Sequence, residues 1–360
     1  MTAPRIGILT FHHSLNYGAV LQSYALCRVL RERGMNAEII DYRPAWTRRF
    51  YFNPMFPRSL HEWRRRARFK GFLKGLRGFP YYSRHQLKFT KYDLYIAGSD
   101  QIWNPDGANG YDPSLFLDFV RSPARRVAYA ASASGAKALH PGSYPLLARF
   151  DRISVRDRHT QDLVAPHFSG DVSICLDPTL LFDWSSIAGD LKEAHILVHT
   201  PRLQHKPEMS TAVRALQARC QLPMRAIEAD GLGSIETQAI RDAGPAEWVK
   251  AIAQSSHVVT NRYHAFIFSL ILGKKILWLN RKDAFHKVYA LLQQLGIPIT
   301  PEDFSQPVLW FDNLDYGSIQ KRLGKLRSQS LSFLEDSLKL VNQLKWGDKV
   351  GDQANRRTAS

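Results

Sequence analysis

Acidic residues and cysteines are scarce in this chain. Cys27, Cys175 and Cys220 are its only thiols in 360 residues, odd in number and far apart. That spacing makes neither a disulfide framework nor a metal-binding set, so they read as reduced thiols of a cytoplasmic protein. No apolar run is long enough to span a bilayer, because the longest, Ala265–Leu279, is broken by Gly273, Lys274 and Lys275. The first ten residues run straight into a strand pattern and lack the layout of a signal peptide. Glycine-rich nucleotide fingerprints of the GxGxxG and P-loop types are missing, as are solenoid-length repeats. Against 32 Asp and Glu stand 49 Lys and Arg, a formal net charge of +17. Such an excess implies an anionic partner: nucleic acid, an anionic membrane face or an acidic substrate.

What is present is a repeated alternation of apolar strands and amphipathic helices. Strands are expected at 5–11, 37–42, 92–97, 126–131, 153–155 and 172–175, and again at 195–199, 224–228, 257–260 and 275–279. Helices are expected at 19–33, 157–164, 209–219, 247–254, 263–272, 285–295 and 317–344. This is an α/β chain with parallel sheets covered on both faces. The length suits two domains, expected at 1–181 and 182–346, with 347–360 a polar, disordered tail. Ligands of open α/β sheets bind beyond the carboxyl ends of the strands, which singles out the loops at 12–18, 98–106, 132–135, 156–160 and 260–264.

The most informative segment is Val258–Gly273, an apolar strand, a polar turn and a long apolar helix. Arg262 and His264 fall where the helix should begin. Helix starts offer unpaired N–H groups and the positive dipole end to anions. Arg adds a planar fork suited to phosphate or carboxylate, and His a proton that moves near neutral pH. A helix that merely opens with two polar residues is the plainer alternative.

Six blocks then match, in order, a known family. Gly7–Phe11 with Asn16–Gln22, Ile96–Asn104, Tyr129–Ser132, Ser154–Asp157 with Thr160, Leu176–Leu181 and Val258–His264 together resemble the polysaccharide pyruvyl transferases. The chain departs from the family pattern at Ala133-Ser134-Gly135 and at Asn261, where an acidic residue is common. The resemblance implies two Rossmann-like domains in a GT-B-like arrangement with an interdomain cleft. It also implies phosphoenolpyruvate as donor and paired glycan hydroxyls as acceptor, giving a pyruvate ketal and phosphate. The donor is a co-substrate activated by protonation, so no metal or other cofactor is expected.

On that reading His264 is the candidate acid and Asp100 the candidate base or acceptor-orienting residue. Arg262 and Arg156 are candidate anion contacts, joined by Lys287 at the start of a second-domain helix. Thr260, Asn261, Ser132 and the Asn16-Tyr17-Gly18 turn are further substrate contacts, and Trp103 could stack on a sugar. Each has an ordinary alternative: an ion pair for Arg156, a core histidine for His264, a self-capping turn for Asp100, a buried ring for Trp103. His12 and His13 share the first loop and could also reach substrate.

Residues 46–92 form a basic, aromatic insertion. Between Thr47 and Tyr92 thirteen Lys and Arg meet one acid, Glu62, with Trp46, Phe50, Tyr51, Phe52, Phe56, Trp63, Phe69, Phe72, Phe79, Tyr81 and Tyr82 nearby. This suits an anionic membrane surface or nucleic acid, the latter less favoured. The expectation is a cytoplasmic transferase, peripheral at the inner face of the cell membrane, acting on a polysaccharide or lipid-linked glycan precursor. A glycosyltransferase using a nucleotide sugar and a noncatalytic polyanion-binding module are the competing readings.

Overall fold

The computed structural model describes the chain apart from residues 1–3, 46, 48–58, 108–109, 202, 205, 230–234, 281–284 and 358–360, and apart from the side chains of 229 and 342–357. Trp46, Arg48, Arg49, Phe50, Tyr51, Phe52, Phe56 and Arg58 of the insertion therefore lie outside the described residues.

Apolar runs that are buried on both faces make most of the strands, Arg77–Tyr81, Gln238–Ala239 and Val308–Phe311 being the more exposed exceptions. β1 (Arg5–Leu9), β2 (Asn36–Tyr42), β3 (Arg77–Tyr81), β4 (Leu94–Ala97), β5 (Arg125–Ala131), β6 (Arg152–Val155) and β7 (Val172–Ile174) form one sheet. Its order is β3-β2-β1-β4-β5-β6-β7, parallel throughout. The second sheet comprises β8 (His195–Thr200), β9 (Met224–Ala229), β10 (Gln238–Ala239), β11 (Ser255–Thr260), β12 (Lys275–Leu279) and β13 (Val308–Phe311). It runs β10-β9-β8-β11-β12-β13, parallel except for β13, which pairs antiparallel with β12. Both sheets reverse direction of winding once, between β1 and β4 and between β8 and β11, as doubly wound nucleotide-fold sheets do. The chain thus has two Rossmann-like units, as expected.

The labelled helices are α1 (Tyr17–Glu32), α2 (Leu60–Phe72), α3 (Arg158–Val164), α4 (Pro207–Cys220), α5 (Pro245–Ala253), α6 (Tyr263–Ile271), α7 (Phe285–Gln294) and α8 (Tyr316–Arg357). α1 starts where Asn16 caps it, its side-chain oxygen accepting from Gly18 N and Ala19 N. α6 is buried along almost its whole length, as its apolar composition requires. α8 runs through most of the segment expected to be a disordered tail, reaching Arg357. The insertion folds into α2 and β3, which the sequence pattern did not announce, and β13 was likewise unanticipated.

One apolar cluster joins the two units. It holds Leu21 and Leu26 of α1, Phe69 of α2, Trp248 and Ile252 of α5, Phe268 of α6 and Phe333 of α8. Tyr17 stacks on Trp248 at 5.2 Å and 10° between planes, and its hydroxyl donates to the Ala243 carbonyl at 2.9 Å. α2 adds polar ties. Arg65 pairs with Glu228, and Arg68 donates to the Asp242 carbonyl at 2.7 Å.

Candidate active site

The carboxyl-end loops of the first sheet meet the starts of α6 and α7. β6 delivers Arg156, which is 4% exposed. Its Nη1 donates to Asp177 Oδ2 at 2.9 Å and lies 3.9 Å from Asp100 Oδ1. Its guanidinium carbon sits 4.8 Å from the centre of the Tyr263 ring. Nη2 of the same group is buried with no hydrogen-bond partner among the described residues. An orphaned guanidinium nitrogen in a dry site is costly unless a ligand meets it. Burial disfavours this charge, but Tyr263, Asp177, Asp100 and Asp157 outweigh that and raise its pKa above the ordinary arginine range.

Asp177 is the anchor of the cluster. It follows the apolar run ending in Leu176, and its Oδ1 accepts from Thr179 N at 3.0 Å and Thr179 Oγ1 at 2.7 Å. Burial opposes its ionisation, yet His264, Arg156 and Thr179 hold its pKa well below the usual carboxylate range. Nε2 of His264 lies 3.4 Å from Asp177 Oδ2. That distance is an ion-pair contact, but the ring nitrogen makes no directed hydrogen bond among the described residues. His264 occupies the first turn of α6, whose cap is Arg262. The imidazole rests on α1 of the other unit: a Cβ on Gly18 would come within 1.9 Å of its Nδ1. Glycine is required there because the ring takes the space.

Asp100 is 7% exposed and adopts φ 67°, the left-handed region that Asp tolerates better than most residues. Its carbonyl accepts from Ser132 N at 3.0 Å. Ser132 in turn donates to Asp157 Oδ2 at 2.8 Å, and Asp157 caps α3 by accepting from Thr160 N. Lys287, half-buried on α7, donates to Gln101 Oε1 at 2.8 Å. Burial, helped by Arg156, lowers its pKa to about 8. Gln294 of α7 donates to the Arg156 carbonyl at 3.0 Å, closing the contact between the units.

The structure therefore gathers Arg156, Asp100, His264, Lys287 and Gly18 around Asp177 and Tyr263. Ser132 belongs to the supporting layer. Arg262 donates from Nη2 to the Pro201 carbonyl at 3.2 Å, and its N–H bonds Thr260 Oγ1. Thr260 donates to the His199 carbonyl at 2.8 Å. Asn261 is fully buried and donates to the Pro201 carbonyl at 3.3 Å. Asn16 spends its side chain on the α1 cap. Two expected contacts point elsewhere. Tyr17 packs into the apolar joint described above. Trp103 is 2% exposed, stacked on Phe116 at 5.1 Å with its N–H on the Leu115 carbonyl, and presents no face to a sugar. His12 is likewise committed, with Nε2 3.0 Å from Asp41 Oδ1 and Nδ1 3.0 Å from the Thr10 carbonyl.

Asp177, Asp157 and Tyr263 had no role assigned from the sequence, where Leu176–Leu181 stood only as one of the six family-like blocks. One signal was available: a lone carboxylate inside Ile-Cys-Leu-Asp-Pro-Thr-Leu-Leu has to find a cation once buried. Among the described residues no group of three or more His, Cys, Asp or Glu could hold a metal.

The sequence profile described as "Polysaccharide pyruvyl transferase" matches residues 16–283. No curated protein matches the chain. Among solved structures, the S. aureus MnaA–UDP complex is similar at a TM-score of 0.47 and 11% identity, covering 94% of this chain and 97% of that one. The UDP-GlcNAc 2-epimerase from Neisseria meningitidis bound to UDP-GlcNAc gives 0.45 and 10%, covering 95% and 94%. The E. coli heptosyltransferase WaaC with ADP gives 0.39 and 11%, covering 76% and 86%. Likeness at that level bears on neither substrate nor mechanism.

Proposed function

Because the chain belongs to the polysaccharide pyruvyl transferase family, we propose that it transfers pyruvyl from phosphoenolpyruvate to paired hydroxyls of a glycan or lipid-linked glycan precursor. The observation that carries this reading is the orphaned Arg156 Nη2 beside His264 Nε2, above a buried Asp177 and next to the first turn of α6. That arrangement supports a small, doubly anionic ligand. We assign Arg156, Lys287 and the α6 start to one anionic group of the donor and Arg262 to the other.

His264 then protonates the methylene carbon, and the central carbon becomes an oxocarbenium-like electrophile. One sugar hydroxyl adds to it and gives up its proton to Asp100. The second hydroxyl displaces the phosphate and closes the ketal. Of the two hydroxyl protons, one replaces that lost by His264 and the other leaves on phosphate, so the sum is donor plus diol to ketal plus phosphate. Asp177 keeps the imidazole in place across a 3.4 Å contact. No step calls for a metal or a redox cofactor.

The test is a thermal-shift comparison followed by turnover. Phosphoenolpyruvate at one hundred times its Kd should stabilise the protein by about 2.7 kcal/mol, and a nucleoside diphosphate should not. His264→Ala should cut turnover by about 10²–10⁴-fold with the fold retained. Stabilisation by the nucleotide alone would point to a sugar-nucleotide transferase instead, and full turnover in the variant would remove His264 as the acid.

A further inference from the structure

Among the described residues β3 is the edge strand of the first sheet, and Arg77 at its start donates to the Lys70 carbonyl of α2 at 3.0 Å. Large apolar side chains that remain exposed concentrate there: Leu60, Trp63, Phe79, Tyr82 and Phe89, against Ile174, Leu191 and Trp310 elsewhere among the described residues. Phe79 is 75% exposed, Phe89 70% and Trp63 57%. Five of eight within thirty residues is a patch and not scatter.

The two sides of α2 are used differently. Its inner side carries Phe69 into the apolar cluster and sends Arg65 and Arg68 to the second unit. Its outer side shows Leu60, Trp63, Ala67, Gly71 and, just past the helix, Lys74, all exposed and spaced three or four apart. Arg64 and Lys70 flank that stripe, and neither they nor Lys74, Lys88 and Lys91 enter an ion pair among the described residues. Phe79 meets Tyr81 edge-on at 6.1 Å, and Tyr81 packs with the cluster on the sheet face opposite α2. Exposed rings and unneutralised cations thus straddle one edge.

A cavity of ≈ 520 Å³ adjoins it at the amino ends of the strands, away from the site described above. Arg5, Lys88, Lys91 and Arg121 line it together with Tyr92 and Phe119. Its acid, Asp93, is engaged by the Arg5 backbone N–H at 2.8 Å. Cations above an apolar floor fit a phosphate-bearing headgroup. An added strand fits poorly, because Pro80 removes a backbone N–H from the edge.

We propose that this edge, formed by the outer stripe of α2 with Phe79, Tyr82 and Phe89 and the adjoining cation-lined cavity, docks on a bilayer carrying anionic headgroups. Rings enter the interfacial zone while the lysines and Arg64 meet phosphate. The docking surface stands apart from the pyruvyl reading and would hold for any chemistry at the Asp177 cluster.

The experiment is co-sedimentation of the full chain with vesicles of phosphatidylcholine alone or with about 30% phosphatidylglycerol. Two variants are compared, Trp63→Ser/Phe79→Ser/Phe89→Ser and Lys70→Glu/Lys74→Glu/Lys88→Glu, with Leu191→Ser/Trp310→Ser as a control for exposed apolar residues elsewhere. Wild type and control should bind the anionic vesicles about tenfold or more better than the neutral ones, and each triple variant should lose that preference. All should keep the thermal response to phosphoenolpyruvate, which reports separately on folding and on the donor site. Equal binding to both vesicles, unchanged binding by either triple variant, or tighter retention of single-stranded RNA than of vesicles would overturn the proposal.

Discussion

Gly18 and His264 are separated by most of the chain and share one space. The imidazole lies where any larger residue at 18 would place its Cβ, 1.9 Å from Nδ1. Gly18→Ala must therefore move the ring away from Asp177. Misplacing a reacting group by about an ångström costs on the order of 10²-fold in rate, and turnover of Gly18→Ala should fall by about that factor. In a His264→Ala background the same change should cost little, because the ring it displaces is gone. Steady-state rates of the four proteins check this. Additive losses would mean that Gly18 acts on the substrate or the α1 start and not through the imidazole.

Helix α2 shows what neighbouring arginines do when they face different ways. Arg65 pairs with Glu228 and lies 5.3 Å from the centre of the Tyr17 ring, whereas Arg64 is exposed. Arg65→Met should lower unfolding stability by about 1–2 kcal/mol. Arg64→Met should stay within about 0.5 kcal/mol, both read from urea titrations. The same helix explains where reading the sequence stopped. Apart from β3, β10 and β13, the strands of both sheets were legible because they are continuous apolar runs, and α1 and α6 because Asn16 and Arg262 stand at their starts. Phe69 is the one buried residue of α2, so no apolar stripe advertised the helix, and its charges read only as part of a basic, aromatic insertion. β13 is a four-residue run whose antiparallel sense has no local signature. Within the site, Arg156, His264 and Asp100 were legible from loops at strand ends. Asp177 was not, because its partners come from β6 and α6 and only folding makes them neighbours. Trp103 misled for the same reason: the ring that buries it, Phe116, comes from a turn after the loop.

Across the whole chain, histidines buried without charge set the acid limit. Burial lowers the pKa of His195 and of His199 to about 4, against an ordinary 6.5. Below pH 6.5 the unfolded chain takes up protons that the folded chain refuses until about pH 4, so stability falls as pH drops through that window. The slope is at most roughly 1.4 kcal/mol per pH unit for each histidine. Asp41 and Asp177, both held below the usual carboxylate range, add their loss at still lower pH as they are forced to protonate. The urea midpoint should decline steadily from pH 7 to 4.5, and a flat profile would contradict the buried, neutral state of these rings.

The apolar joint through α1, α5 and α6 has a consequence for how turnover proceeds. Tyr17 is wedged against Trp248 one residue from the glycine that seats the imidazole. A seam of this kind resists the large hinge swing that two-lobed enzymes often use to admit and expel ligands. While that seam holds, the His264 imidazole keeps its register against the Asp177 carboxylate.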